Sequence, residues 1–470
     1  MTTKTTSKPF VKFIGNSSTE VTGSCHLVRF KNYVILLDCG MIQGHDIVTD
    51  YKANMEMLKK IKPKEIDWII LSHVHIDHSG LIPALYARGC QAHLIIPQGS
   101  SDFLKLLWAD SMKIFFQDCF KMSKKGIKAS PYYTENDLNI ALSRIIEIPY
   151  QNTILKPPMV SLASDIWLEY YSANHIIHAC QMRLTFKDGN ILHRLGYTGD
   201  VGGKVYQPYV APRFPMQFVD LLIGENTYNQ PQRMNKPYDR EKDIEKIEAV
   251  VAQSNRVLIP CFSLGRTQLI LYVLYHMWQK GQIPVDIKII LDSPLAIKFC
   301  EIWPWTEYGF DLRKWDNLKF VTDWEESVAL QKTNYPCIII SASGMMQGGR
   351  VMEWAKCILP GYKNTILFCG YSSENTLASH IRYGNPYVSV DGEQIMNNAN
   401  IIELVSFSSH ASYEELMEYY VNGLRYNKIA LVHGDMKYKP EFARALQSKL
   451  GDNGNSAKVV CVNEDTKIYF

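Results

Sequence analysis

Residues 71–80 read LSHVHIDHSG, and His73, His75, Asp77 and His78 place three imidazoles and a carboxylate within six positions. The run begins where a short apolar strand, DWIIL (67–71), ends. On an extended segment residues i and i+2 point to the same side, so His73 and His75 can hold one metal ion together. HSGLIPALYA has the apolar spacing of a helix. Asp77 and His78 therefore fall at a helix start and would face a second ion beside the first. Mixed nitrogen and oxygen donors suit zinc or a similar divalent cation.

The chain has 470 residues, which predicts two or three domains. Hydrophobic residues make up 46% and charged residues 21%, enough apolar material for a real core. A net charge of +3 neither demands nor excludes a nucleic-acid partner. The start, MTTKTTSKPF, lacks the apolar stretch of a secretory signal. No run approaches the roughly 18 apolar residues of a membrane helix, so no membrane partner is expected. The 11 cysteines are scattered without a C-x-x-C pair, the pattern of a reduced cytoplasmic protein with buried thiols.

The first part of the chain is strand-rich: FVKFIG, SCHLVRF and YVILLDCG read as meandering strands. FLKLLWADSMKIFFQDCF has helical spacing, and PYYTENDLNIALSRI reads as a helix capped by Thr134. From about residue 230 apolar strands alternate with helices, as in NRVLIPCFSL, IKIILDSPLA and CIIISASG, which predicts a parallel α/β sheet. The expected organisation is a metal-binding domain over 1–229, an inserted α/β domain over 230–378, and the rest of the first domain over 379–470.

Two ions need further ligands. YSANHIIHAC offers His175 and His178, RLGYTGD places Asp200 after a strand and a Gly turn, and VSFSSHAS carries His410. A carboxylate at Asp200 could bridge both ions, and the set leaves an open position for water.

HVHIDHSG, YTGD and SFSSH, preceded by VILLDCG, resemble the metallo-β-lactamase superfamily. GENTY around Glu225, ENTLASHI around His380 and SFSSHAS around His410 resemble the three extra motifs of its β-CASP branch, which includes ribonuclease J and the mRNA 3′-end processing endonuclease. EVTGSCHLV, IPCFSLGRTQ, LDSPLA, SASGMMQGG and LVHGD look like the same branch. The resemblance implies an αββα sandwich with metals at one edge and an inserted parallel β-CASP domain. It implies that His73, His75 and His175 hold one ion, that Asp77, His78 and His410 hold the second, and that Asp200 bridges. Asp38 would orient a ligand histidine, as such outer partners fix tautomer and ring direction. Glu225 and His380 would form a catalytic pair alongside Asp77, with Glu225 holding His380 near the leaving oxygen. His433, in VHGD, would stand behind the ligands.

The implied activity is hydrolysis of RNA phosphodiester bonds, internally or from an end. Two divalent ions, Zn²⁺ or alternatively Mn²⁺, can activate a shared water and clamp a phosphate for in-line attack. The implied partner is single-stranded RNA, and a homodimer is the expected assembly. A DNA nuclease, a small-molecule hydrolase of the same superfamily and a catalytically silent processing subunit are the rivals. Candidate phosphate contacts are Arg266 at a helix start and the turn containing Ser343, Gly344 and Arg350, since helix N-termini and Gly-rich turns offer amide donors. KMSKKGIKASPYY adds Lys121, Lys124, Lys125 and Lys128 beside Tyr132 and Tyr133, a candidate base-stacking segment whose plainer reading is a solvated helix end. Two departures from the family pattern stand out. Asn174 and His178 occupy usual glycine positions around His175, and His178 is an alternative ligand. Asn226 and Asn229 flank Thr227–Tyr228, which implies an altered substrate preference.

Overall fold

The computed structural model describes residues 8–470 except 154–155, 206, 237, 309, 371 and 373–375. Glu374 and Asn375 of the ENTLASHI motif therefore lie outside the described residues. The chain forms two compact units, one over residues 1–204, 210–236 and 410–470, the other over 205–209 and 237–409.

The first unit is built on two seven-stranded sheets. One runs, in spatial order, Lys467–Tyr469, Phe10–Phe13, His26–Phe30, Tyr33–Leu37, Trp68–Ile70, His93–Pro97 and Ile145–Ile148. The other runs Lys458–Cys461, Tyr426–Val432, Val219–Glu225, Ile191–Tyr197, Cys180–Asp188, Ile166–Ser172 and Val160–Ala163. Strand His26–Phe30 alternates buried and half-buried residues, the period of a sheet with one covered face. Inward residues of both sheets, among them Val11, Phe13, Val28 and Ile35 with Leu168, Tyr170, Met182 and Leu184, form one apolar cluster. This is the αββα sandwich. Helices Ile47–Lys60, Ser101–Lys124 and Glu135–Ser143 pack on one another. Thr134 caps the last of these, its backbone N–H donating to Asp137 Oδ2 at 2.8 Å.

The second unit holds six parallel strands in the order Leu318–Phe320, Lys288–Leu291, Cys337–Ser341, Arg256–Pro260, Thr365–Phe368 and Asn400–Glu403. A return to the first domain at residue 379 is expected from the sequence, but the second unit extends to Ser409. Strand Asn400–Glu403 adds to the parallel sheet beside Thr365–Phe368, and its pairing holds residues 379–409 in that unit. Among the described residues no helix is long and apolar enough to cross a membrane.

Candidate metal centre

Strand ends build the site. In one sheet Leu37 pairs with Ile70 in parallel register, so Asp38 and the Ser72–His73 step leave the sheet side by side. In the other, Tyr197 pairs with Ile223 and Glu225 with Val432. Three parallel strands thus deliver Asp200, Glu225 and His433 to one edge. The chain then turns into the short helix Ile76–Ser79, which carries Asp77 and His78. This loop lies so close to residue 40 that a Cβ there would sit 1.6 Å from the Asp77 carbonyl oxygen, so only glycine fits at Gly40. Gly202 backs the other ligand loop in the same way, 1.7 Å from the Asn174 carbonyl oxygen at the Cβ position.

The first group is His73, His75, His175 and Asp200. His75 Nδ1 lies 3.2 Å from His73 Nε2 and 3.2 Å from His175 Nε2. Asp200 Oδ2 is 3.6 Å from the Nε2 atoms of both His73 and His175. Burial lowers His73 well below an ordinary imidazole and lowers His75 to about 4, so both rings are neutral and present lone pairs. His178 stands apart from this group. Its Nδ1 is 3.1 Å from the Tyr150 hydroxyl and its ring faces Phe103. Asn174 and His178 both take the left-handed backbone, at φ +59° and +60°, and the resulting turn aims His175 inward.

The second group is Asp77, His78, Asp200 and His433. His78 Nε2 is 3.3 Å and His433 Nδ1 is 3.4 Å from Asp200 Oδ1, and His433 Nε2 is 3.2 Å from Asp77 Oδ2. The resemblance puts His410 among these ligands and His433 behind them; here His433 stands in the second group, while His410 forms a third group of potential ligands with Asp200 and Glu225. The physical reason is the sheet register, which carries His433 beside Glu225 and Asp200, in a left-handed backbone at φ +53°. The Thr227 hydroxyl lies 2.9 Å from His433 Nδ1 and fixes the ring.

Asp38 is fully buried behind this group. Its carboxylate accepts from Ser72 N and Ser72 Oγ at 2.7 Å, from Tyr197 Oη at 2.8 Å, and lies 2.7 Å from His78 Nδ1. That bond turns His78 Nε2 toward Asp200. Ser72, Tyr197 and Thr227 lie within LSHVHIDHSG, YTGD and GENTY, but the sequence reading gives them no role, and only the folded geometry shows what they touch.

Glu225, also fully buried, accepts from Val201 N at 2.8 Å and Thr227 N at 3.0 Å, and lies 3.2 Å from His410 Nδ1. His410 Nε2 is 3.9 Å from Asp200 Oδ2. Burial opposes charge on His410, but the Glu225 and Asp200 carboxylates outweigh it and raise the imidazole to about 9. The resemblance pairs Glu225 with His380; the structure gives Glu225 a different imidazole. The reason is local: Ala411 N donates to Val201 O at 2.8 Å, which pins His410 against the Asp200 loop. His380 is an exposed residue of helix Leu377–Arg382 in the second unit, with Asn385 Nδ2 3.5 Å from its Nδ1.

The phosphate candidates divide. Arg350 is committed internally, its guanidinium donating to Asp292 at 2.6 Å and to the carbonyls of Val321 and Thr322. Ser343 Oγ accepts from Gln347 N at 3.3 Å within its own turn. Arg266, buried at the start of helix Arg266–Gln279, donates to Ser409 Oγ through Nη2, and its Nη1 has no hydrogen-bond partner among the described residues. It lines a small cavity with Phe262, Gly344 and Gly370. Tyr133 is buried with its hydroxyl on the Trp108 carbonyl, and Tyr132 stacks on Tyr51, so neither presents a free ring.

The two groups fit divalent cations. The imidazole nitrogens of His73, His75 and His175 converge on one another, and the buried Asp200 Oδ1 has no hydrogen-bond partner among the described residues. Facing acceptors in a buried site are costly unless a cation lies between them.

Three family models match in chain order. They are the metallo-beta-lactamase superfamily at 18–114, the Beta-Casp domain at 267–381, and the Zn-dependent metallo-hydrolase RNA specificity domain at 395–459. A Thermus thermophilus protein named Ribonuclease TTHA0252 is 28% identical over 431 residues, 88% of this chain and 91% of its own. Transcription termination factor FttA of Methanosarcina mazei is 28% identical over 455 residues, 92% of this chain and 68% of its own. A solved protein of unknown function from Enterococcus faecalis V583 shares the fold at a TM-score of 0.55 and 12% identity, over 99% of this chain and 100% of its own. Sheets, site and matched domains together make this chain a member of the β-CASP branch of the metallo-β-lactamase superfamily.

Proposed function

We propose that the chain hydrolyses phosphodiester bonds in single-stranded RNA, using two divalent ions, zinc or manganese. The observation that carries this reading is the split of Asp200, whose Oδ2 faces His73 and His175 while Oδ1 faces His78 and His433. One carboxylate serving two nitrogen-rich groups is the arrangement of a bridged dinuclear centre. The match to an RNA specificity domain and the relative named as a ribonuclease favour RNA over DNA. Eleven free cysteines suit a reducing, cytoplasmic setting.

Bound ions would supply Lewis acidity toward the phosphate and a water of lowered pKa. The chain's own groups do the rest. Asp38 holds His78 in one tautomer, with Nδ1 as donor and Nε2 free to ligate. Glu225 holds His410 with a proton on Nδ1, and the raised basicity of the ring keeps a second proton on Nε2 at neutral pH. That proton is the one to pass to the departing 3′ or 5′ oxygen, which makes His410 the general acid and Glu225 its orienting partner. His380 stays a candidate for contact with the strand, and Arg266 for contact with a phosphate, its Nη1, without a hydrogen-bond partner among the described residues, being the supporting feature.

The test is metal analysis together with cleavage of an RNA labelled at either end, with Zn²⁺ or Mn²⁺ supplied. Stoichiometric metal and strand scission, both lost in Asp200→Ala, are expected. Undiminished cleavage by folded Asp200→Ala overturns the reading.

A further inference from the structure

Helix Ser101–Lys124 packs behind the short helix that carries Asp77 and His78, with Trp108 Nε1 donating to Ser79 O. At 1.5 Å per residue its 24 residues reach about 36 Å. One face is buried through Leu104, Trp108, Ser111, Phe115 and Met122. The opposite face is open over its second half. Lys113, Phe116, Phe120 and Lys124 follow each other at spacings of three and four, so they form one stripe. Phe116 is 50% and Phe120 61% exposed, an unusual allotment for phenylalanine. Lys124 Nζ lies 4.5 Å from the Phe120 ring centroid, and Lys121, Lys125 and Lys128 are exposed beside it. Between 111 and 128 five lysines stand against one aspartate, a net of +4 in a chain whose total is +3.

We propose that this stripe is a second contact for the RNA strand, with the lysines on its phosphates and its bases stacked on Phe116 and Phe120. The inference rests on the RNA reading above and extends it to a named surface. Charge complementarity selects the occupant. A second copy docking through the same face would set one +4 stretch against another, which like-charge repulsion opposes. A polyanion with π-faced bases answers both features of the stripe, the ammonium groups and the exposed rings. The candidate stacking rings Tyr132 and Tyr133 are used up in packing, and the open rings lie one helical stretch upstream.

The experiment measures anisotropy of a labelled, phosphorothioate-backboned single-stranded RNA of about 24 nucleotides with full-length protein. It compares wild type, Phe116→Ala/Phe120→Ala, and a variant with Lys113, Lys121, Lys124 and Lys125 changed to Gln. Loss of two stacking platforms is expected to weaken binding at least about ten-fold. Loss of four phosphate contacts is expected to lower the salt slope of log K by up to about 3. Cleavage of an RNA of about five nucleotides should stay within two-fold of wild type. Unchanged binding by both variants overturns the proposal. So does tighter binding of the stripe to phosphatidylserine vesicles than to RNA, or loss of self-association with RNA binding intact. If wild type binds RNA through the stripe yet cleaves none, the hydrolase reading fails and this one stands.

Discussion

Glu225 Oε1 and His410 Nδ1 lie 3.2 Å apart, joining the end of a buried strand to the turn that re-enters the first unit. The pair sits against Asp200 yet His410 lies outside both tetrads of converging ligands. His410 groups instead with Asp200 and Glu225, and the function proposed above gives His433 the metal and His410 the proton.

Replacing His410 by Ala should lower kcat by roughly 10²- to 10⁴-fold, the usual contribution of a positioned acid, while bound metal stays at the wild-type level. Metal analysis beside single-turnover cleavage checks this. Metal loss matching the activity loss would make His410 a ligand after all.

The pH profile should carry the same signature. Burial opposes charge on His410 but the Glu225 carboxylate raises it, so the acid form persists through neutrality and activity falls as pH rises past the raised imidazole. Glu225→Gln removes one of the carboxylates that raise it. The alkaline limb should therefore move to lower pH in that variant, as measured from kcat against pH.

Asp38 acts through His78. Asp38→Asn keeps the shape but cannot hold the same imidazole tautomer, and loss of such a partner costs about 10- to 100-fold in metal affinity. Competition with a chelator should reveal that loss, and His433→Ala should reduce metal stoichiometry. Full metal occupancy in His433→Ala would return that residue to a supporting position.

His175 and His178 should separate cleanly. His175→Ala should lose metal and activity, since His175 Nε2 faces His75 and Asp200. His178→Ala breaks only the Tyr150 contact and should keep its metal. The reverse result would reassign the ligand.

Arg350 is predicted to be structural. Its guanidinium neutralises the fully buried Asp292, and removing one partner of a buried pair typically costs about 3–5 kcal/mol. Arg350→Ala should show that loss in denaturant unfolding. Normal stability with a raised KM for RNA would restore it as a phosphate contact.

The cluster at 73–78 was legible because its chemistry is local: a strand end and a helix start set four donors within one turn of chain. Asp200, which follows a strand and a Gly turn, was legible for the same reason. His433 and His410 were not separable in this way. Each is a lone histidine after a short apolar or small-residue run, and nothing within a few residues says which one a distant sheet register will bring to Asp77. Arg350 shows the same limit on the other side. An arginine after glycines reads as a phosphate contact, and only the packed structure reveals Asp292 beneath it.

The sequence alone thus determined the inserted parallel sheet and the donor types, because strand and helix periodicity and ligand chemistry are properties of short segments; the sandwich followed from the resemblance of its motifs to a known superfamily. Tertiary structure alone decided which histidine completes the second group, which imidazole Glu225 holds and which aromatic rings remain open to a partner. Those outcomes depend on the parallel pairing of strands separated by some two hundred residues, Val219–Glu225 with Tyr426–Val432, and on which side chains that packing consumes.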